Sequence, residues 1–393
     1  MIRFEEAYKI VCDNSRLLGI EEIDFLEATN RVLAEDIFSD IDMPPFNKSA
    51  VDGYACKLAD FNKNIKLEIT EIIPAGSLPV NKIEHGKCAK IMTGAMLPEG
   101  ADVVVMLEDT KIFSDNKLSF TSDKTNKNIC YIAEDVHRGE LVLAKGIYLK
   151  PQHIAVLASV GAVKIPVYKK PVVTILSTGT ELVEPNQMPV GPQIRNSNAS
   201  QIIAQIKEAG GIPEYIGISP DSDQLTYENI FNAFAKSDIV VASGGVSMGD
   251  FDYVTKIIKE LNLDIKFNSI AVQPGRPTVF AVLDNKKYFF GLPGNPVSAF
   301  VQFELLAKPF IQQLQGFKNK AHTIKLPLGE NISRKKSERK SFIPVSIKNN
   351  EVFHIEYNGS AHIHSYIAAD GMISLEIGCN QLNKGEIVDV RQL

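Results

Sequence analysis

Between Val172 and Leu314 short apolar runs alternate with stretches whose apolar residues recur at helical spacing, and this rhythm sets the expected architecture. The runs are Val172 to Leu176, Pro213 to Ile218, Ile239 to Ala242, Ile265 to Val272, Thr278 to Leu283 and Tyr288 to Phe290; the helical patterns lie at Ala199 to Ala209, Asp223 to Ala235, Phe251 to Leu261 and Val297 to Leu314. Such alternation implies crossovers and a parallel sheet covered on both faces. Residues 2 to 38 read as two short helices, the first with Phe4, Ala7, Tyr8 and Val11 on one face, the second with Ile23 and Leu26. Pro44 and Pro45 close them off, because proline cannot continue a helix. From Val51 to Leu149 the pattern turns to short β runs (Lys66 to Ile73, Cys88 to Met92, Val103 to Leu107, Lys117 to Phe120, Glu140 to Val142) divided by Gly, Pro and Asn. Phe113 to Asn128 reads as a loop-bearing hairpin, Pro151 to Gly161 as a helix begun by proline, and Val163 to Val167 as a strand. His322 to Leu393 shows no helical period, and its short strands predict a small β-barrel. The expected fold is multidomain α/β plus β. It comprises a helical and extended linker domain (1–45 and 146–170), an inserted β domain (46–145), a parallel-sheet α/β central domain (171–318) and a C-terminal β-barrel domain (319–393).

Three of the apolar runs stop at turns: Ser177-Thr-Gly-Thr-Glu-Leu182, Ser243-Gly-Gly-Val-Ser-Met-Gly-Asp250 and Leu292-Pro-Gly-Asn-Pro-Val-Ser298. In an open parallel sheet such turns gather along one edge, where helix N-termini present N–H groups. Gly244 and Gly245 let the chain turn with no Cβ in the way, and Ser247 and Gly249 lead into Asp250 and Asp252 at a helix start. A phosphate or pterin-like ring can approach such a backbone closely. One Gly-Gly turn alone is as easily a plain connection; three on one edge favour a binding site. Glu181, Asp221 and Asp252 follow predicted strands and can converge at that edge. Carboxylates crowded beside a phosphate are tolerable only with a cation between them, which points to Mg²⁺ held partly through substrate oxygens. As helix caps the same acids would need no ligand, a reading that suits Asp252.

The chain has 393 residues, 45% apolar and 23% charged, enough for several packed cores. Its formal charge of -5 argues against nucleic-acid binding. The basic run Arg334-Lys-Lys336 with Arg339 and Lys340 reads as a local solvated face. Five scattered cysteines without C-x-x-C argue against disulfides and thiolate metal sites and for a reducing cytoplasm. No apolar stretch approaches membrane-spanning length. Asp52-Gly53 reads as a turn holding a carboxylate outward, and Ile91-Met-Thr-Gly94 as a strand with a hydroxyl at its tip. His362 and His364, placed in a strand, lack a third ligand and read as an ordinary pair.

Six ordered motifs now combine: Pro44-Pro-Phe-Asn-Lys-Ser-Ala-Val-Asp-Gly-Tyr-Ala55, Met92-Thr-Gly94, Ser177-Thr-Gly-Thr-Glu181, Ser243-Gly-Gly-Val-Ser-Met-Gly-Asp250, Pro274-Gly-Arg-Pro277 and Gly291-Leu-Pro-Gly-Asn-Pro-Val-Ser-Ala299. Together they resemble the molybdopterin molybdenumtransferase family, which includes bacterial MoeA and the E domain of gephyrin. The resemblance implies a homodimer whose active site lies between subunits and which takes adenylylated molybdopterin and molybdate, with Mg²⁺, and releases AMP. It further implies a molybdopterin adenylyltransferase upstream and molybdoenzyme chaperones downstream. By position, Asp52 and Thr93 reach into the cleft from the β domain, while Glu181, Asp221 and Asp252 act from the α/β domain as catalytic and metal-binding residues. Ser243, Gly244, Gly245, Ser247, Gly249 and Asp250, with Pro293, Gly294, Asn295 and Ser298, hold the pterin and phosphate. Pro274, Gly275, Arg276 and Arg339 serve the oxyanion or phosphate, and Ser360 and Ser365 resemble the family's barrel serines. Gln273 and Ser269 stand where members often carry Lys, and the barrel's second arginine is replaced at Pro344, which leaves molybdate against tungstate open. A catalytically impaired scaffold paralog is the alternative reading; an adenylylating enzyme is disfavoured by the long β insertion and the barrel.

Overall fold

The structure is a computed structural model and describes residues 1–219, 223–245, 253–284, 286–318, 322–356 and 359–393. The chain divides into two units: Met1–Ile23, Asn30–Ala34 and Pro166–Leu393 make the first, and Asp24–Thr29 with Glu35–Ile165 the second.

The first unit is organised by a six-stranded sheet in the order Ile212–Ser219, Val172–Thr178, Ile239–Ser243, Lys287–Leu292, Val279–Leu283, Asp264–Phe267. The first four strands are parallel. The expectation of a wholly parallel sheet fails at Val279–Leu283, which is antiparallel to both neighbours. Leu283 pairs with Lys287, so only residues 284–286 make the connection, too short a link for a parallel crossover. The run expected from Ile265 to Val272 also splits: Asp264–Phe267 stays in this sheet, and Val272–Gln273 leaves it. Side chains alternate along each strand between the faces. Ile175, Val241 and Phe290 pack with Ile202 and Ile206 of helix Ser197–Glu208 on one side. Leu176, Val240 and Phe289 pack with Ile230, Phe234, Ile257 and Ile258 on the other. The last helical stretch is α over Pro296–Gln302, π over Phe303–Ala307 and α again over Lys308–Leu314.

Beyond it, Lys340–Lys348 pairs with Gly371–Leu375 and Glu351–His354, and Ile387–Gln392 joins Gly371–Leu375 to Thr323–Pro327. The Gly329 N–H donates to Val352 O at 2.8 Å, so this sheet curls until its outer members meet. Val272–Gln273 adds to it as a parallel edge, with Val272 opposite Lys340 and Gln273 opposite Ser341. His362 and His364 are not in a strand; His362 precedes the 3-10 turn Ile363–Ala368 and His364 lies within it.

At the N-terminus, Phe4–Asp13 is the expected helix, with Ala7 and Val11 buried. The second expected helix does not form: Ile20–Asp24 is a strand paired with Lys164–Tyr168, and Phe25–Glu27 is one 3-10 turn. Gly19 at φ 109 and Asn30 at φ 65 bracket the segment, and Asp24 Oδ1 accepts the Leu26 N–H at 3.0 Å. That pairing partner is remote in sequence, so local periodicity carries no trace of it.

The second unit holds a sheet in the order Val103–Met106, Gly53–Cys56, Lys87–Ile91, Leu67–Ile73, Lys117–Phe120, Thr110–Ile112. Gly53 opens a central strand and is not part of a turn. A Cβ there would lie 2.1 Å from Val105 O, so close strand approach is what demands glycine. Pro151–Ser159 is the proline-initiated helix. Among the described residues no helix is long and apolar enough to cross a membrane.

Candidate active site

Three parallel strands end level: Ser177 pairs with Ser243, and Ser243 with Leu292. The turns that follow line one cleft of about 380 Å³, with Thr178, Gly179, Glu181, Ser243, Gly244, Gly245, Pro293 and Gly294 on its walls. Gly244 has φ +91, and a Cβ on it would lie 2.5 Å from Thr178 O. A Cβ on Gly294 would lie 3.7 Å from the Gly244 Cα, so two of the turns nearly touch. Glu181 is exposed, and its Oε2 folds back to within 2.6 Å of where a Gly179 Cβ would be. The Thr178 hydroxyl is buried with no hydrogen-bond partner among the described residues.

A polar lattice braces this edge. Asn198 Nδ2 donates to Ser243 Oγ at 2.9 Å and to Gly294 O at 2.8 Å, joining two turns. Asn196 caps helix Ser197–Glu208, its Oδ1 accepting the Ala199 N–H at 3.2 Å, while its Nδ2 donates to the Tyr215 hydroxyl at 2.9 Å. Tyr215 in turn donates to Glu184 Oε1 at 2.8 Å. Burial, with the Glu184 carboxylate beside it, holds the phenol far above its ordinary range, so Tyr215 stays a neutral donor. Arg195 lines the cleft too, steadied by its Nε on Gln187 O at 3.1 Å. Sequence reasoning missed Arg195, Asn196 and Asn198. Two asparagines just ahead of a helical pattern are a cap signal that would have pointed to Asn196; nothing marks Arg195.

The other predicted residues fall in several places. Asn295 is exposed and donates from Nδ2 to Ser360 Oγ at 2.8 Å, and Ser298, 3% exposed within its helix, is off the cleft wall. Asp221, Ser247, Gly249, Asp250 and Asp252 lie outside the described residues. Pro274 and Gly275 are buried and Arg276 is exposed. Their flanks border two clefts: Pro277 lines the first, and Gln273 lines a second of about 500 Å³ with Arg334, Lys335, Lys336, Arg339, Ser341 and His354. The basic run, expected to be a solvated face, therefore supplies part of a cleft wall. Arg334 is engaged there, with Nη1 donating to Arg339 O at 2.7 Å and Ser341 Oγ at 2.6 Å; Arg339 Nη1 donates to Val272 O at 3.3 Å. Lys340 points elsewhere, to Glu5 and Glu376 at 2.7 Å each. Ser269 is 5% exposed and lines neither cleft, and Ser365 Oγ donates to His362 O at 2.8 Å.

In the second unit Asp52 and Thr93 meet. The Thr93 N–H and Oγ1 both donate to Asp52 Oδ1, at 2.6 and 2.8 Å, and these bonds hold the exposed carboxyl below the usual carboxylate range. Among the described residues no group of three His, Cys, Asp or Glu side chains is arranged to hold a metal.

Three family models match the chain in order: the MoeA N-terminal region (domains I and II) over residues 2–161, a probable molybdopterin binding domain over residues 174–313, and the MoeA C-terminal region (domain IV) over residues 325–393. The molybdopterin molybdenumtransferase of Staphylococcus epidermidis (strain RP62A) is 35% identical over 401 residues, covering 99% of this chain and 95% of its own. This chain belongs to the MoeA family. The MoeA-family relative from Bacillus subtilis (strain 168), also named molybdopterin molybdenumtransferase, is 39% identical over 321 residues, 79% of this chain and 74% of its own. That of Haemophilus influenzae is 33% identical over 377 residues, 94% and 93% of the two chains. A crystal structure of the molybdopterin biosynthesis MoeA protein from Pyrococcus horikoshii OT3 superposes with a TM-score of 0.85 at 30% identity, covering 100% of each chain. The mixed α/β architecture with a curled sheet is thus a MoeA-family fold.

Proposed function

We propose that this chain is an enzyme of molybdenum cofactor biosynthesis that transfers molybdenum from molybdate onto adenylylated molybdopterin and releases AMP. One observation carries the reading: three strand-end turns surround a single cleft with glycine backbone on its walls, a carboxylate at Glu181 and a guanidinium at Arg195. Bare glycine edges admit a flat pterin and its phosphate to the main chain, and the first turn of helix Ser197–Glu208 offers amide donors beside them. The dithiolene sulfurs of the pterin are the nucleophiles toward molybdate, so the protein need only place the oxyanion, screen charge and orient the phosphoanhydride. In this reading Arg339 and the Gln273 amide hold molybdate in the second cleft, with the exposed Arg276 supplying positive charge from the neighbouring turn.

Magnesium, when bound, would screen the phosphoanhydride. Glu181 suits it as a hard oxygen donor at the cleft, and Asp221 and Asp252 complete the set we propose. We read the curled C-terminal sheet as a β-barrel domain (319–393), beside the linker (1–45 and 146–170), inserted β (46–145) and α/β (171–318) domains. The assembly we propose is a cytoplasmic homodimer with its active site shared between subunits, Asp52 and Thr93 being the inserted domain's contribution. An impaired scaffold paralog is not favoured, since relatives named as the transferase match nearly end to end.

The test is AMP release by the purified chain given adenylylated molybdopterin, molybdate and Mg²⁺. Turnover is expected, and Glu181→Gln should raise the barrier by about 2 kcal/mol or more, the scale of one lost electrostatic contact. Tight pterin binding without AMP would instead revive the scaffold reading.

A further inference from the structure

The Gln273–Pro277 segment separates the two clefts, with Gln273 on one and Pro277 on the other. Arg276 O accepts the Ile270 and Thr278 N–H groups at 3.0 Å each, and the Pro274 end of the segment is held by a side chain outside both clefts. Gln302, the last residue of helix Pro296–Gln302 and 0% exposed, donates from Nε2 to Pro274 O at 2.7 Å. Gly275 has φ +104, and a Cβ on it would lie 2.5 Å from Gln302 Cγ, so the turn rests directly on that side chain. On the other flank Thr278 Oγ1, also fully buried, donates to Gly275 O at 2.8 Å. The strand leading in is fixed by register, with Gln273 opposite Ser341, itself on the basic cleft's wall. Gln302 Oε1 has no partner among the described residues. A buried amide with a bare oxygen is a poor choice for filling space, which an apolar side chain would fill without penalty. What glutamine supplies there is its donor to Pro274.

We propose that Gln302 is a positioning residue for the oxyanion: by holding Pro274 O it sets the placement of Gln273 and Arg276 relative to Arg339. The inference rests on the reading of the Gln273–Arg339 cleft as the molybdate site. Without the donor, Pro274 O is left unbonded in a dry setting and the turn shifts to find another partner. Molybdate feels this first, while the pterin's turns at Gly244 and Gly294 keep their own braces through Asn198.

The experiment is steady-state AMP release by the full chain with molybdate varied at saturating adenylylated molybdopterin. Gln302→Met keeps the volume and removes the donor, and Thr278→Val withdraws the second anchor. Each should raise the half-saturating molybdate by about tenfold, with kcat at saturating molybdate and the pterin KM within about twofold of the parent. Arg339→Ala is the control for the cleft itself. An unchanged molybdate requirement in Arg339→Ala refutes the cleft and the proposal with it. A raised requirement in Arg339→Ala, with Gln302→Met and Thr278→Val at the parent value, leaves the cleft standing and refutes the role of Gln302. A fall in kcat and melting temperature together with a rise in pterin KM in both variants would mark plain structural damage and likewise overturn it.

Discussion

Gly244 shows how one missing Cβ shapes the site. Its φ of +91 is costly for any other residue, and an added Cβ would fall 2.5 Å from a backbone carbonyl that cannot step aside. Gly244→Ala therefore displaces the turn, at a strain of about 1–3 kcal/mol, and AMP release should fall at least about tenfold. Gly191→Ala is the comparison: its φ of +62 carries similar backbone strain, but nothing lies within 4 Å of the added carbon. Near-parent turnover in Gly191→Ala beside a crippled Gly244→Ala is the expected pattern; equal turnover in both would discount the close approach. At this scale the sequence is a fair guide to glycines and a poor one to their reasons. The Gly244 turn is visible in a doubled glycine after an apolar run, whereas Gly53, which reads as a turn residue beside Asp52, is a strand residue pressed against Val105 O. The contact of Thr93 with Asp52 spans 41 positions, a pairing that only family likeness could suggest.

Among the elements, the π segment Phe303–Ala307 carries a charge into the core. Glu304 is 3% exposed, yet it accepts from Lys308 Nζ at 2.9 Å and from Gln205 Nε2 at 2.8 Å. Lys308→Met strips that carboxylate of its cation and should destabilise the protein by about 3 kcal/mol in urea unfolding at pH 7. Burial pulls the Lys308 pKa down, but the charge of Glu304 and the bonds to Glu208 and Glu304 outweigh it and leave the group above the ordinary lysine value. A raised folded pKa means that the stabilisation is complete below the unfolded value of about 10.4 and fades as pH climbs through the folded one. The gap between parent and variant should hold from neutral pH to about pH 9 and narrow in stronger alkali, as Lys308 loses its proton; a gap that stays constant through the alkaline limb would refute the assignment. Periodicity locates the helix containing this segment but not its π turn, because one inserted residue barely alters a hydrophobic pattern. Likewise the strand runs of the central sheet were legible, but the reversed direction of Val279–Leu283 depended on the length of a three-position link, and Ile20–Asp24 on a partner far along the chain.

For the whole molecule, a formal charge of -5 coexists with a cleft walled by Lys335, Lys336 and Arg339. Long-range attraction for an anion is therefore weak, and local cations must supply it. Gln273→Lys adds one within that wall and should lower the half-saturating molybdate about fivefold at low salt, a gain that shrinks as ionic strength approaches about 0.5 M and the screening length falls to a few ångströms. A salt-independent gain, or none, would show that Gln273 does not face the anion. The departure at Gln273 was legible because a motif framed it; that Ser269 is buried away from the wall was not, since burial is decided by packing that no short pattern records.

The stitching between the central sheet and the curled one has a practical corollary for anyone who would excise the α/β portion. Val272–Gln273 lends its edge to Lys340 and Ser341, and both Asn295 Nδ2 and the Val297 N–H donate to Ser360. A truncation at residue 319 would leave the Val272–Gln273 edge unpaired and strip two donors beside the Pro293–Gly294 turn of their protein acceptor. Grafting the pterin cleft into another scaffold thus requires carrying the later backbone along, or redesigning those two seams from the outset.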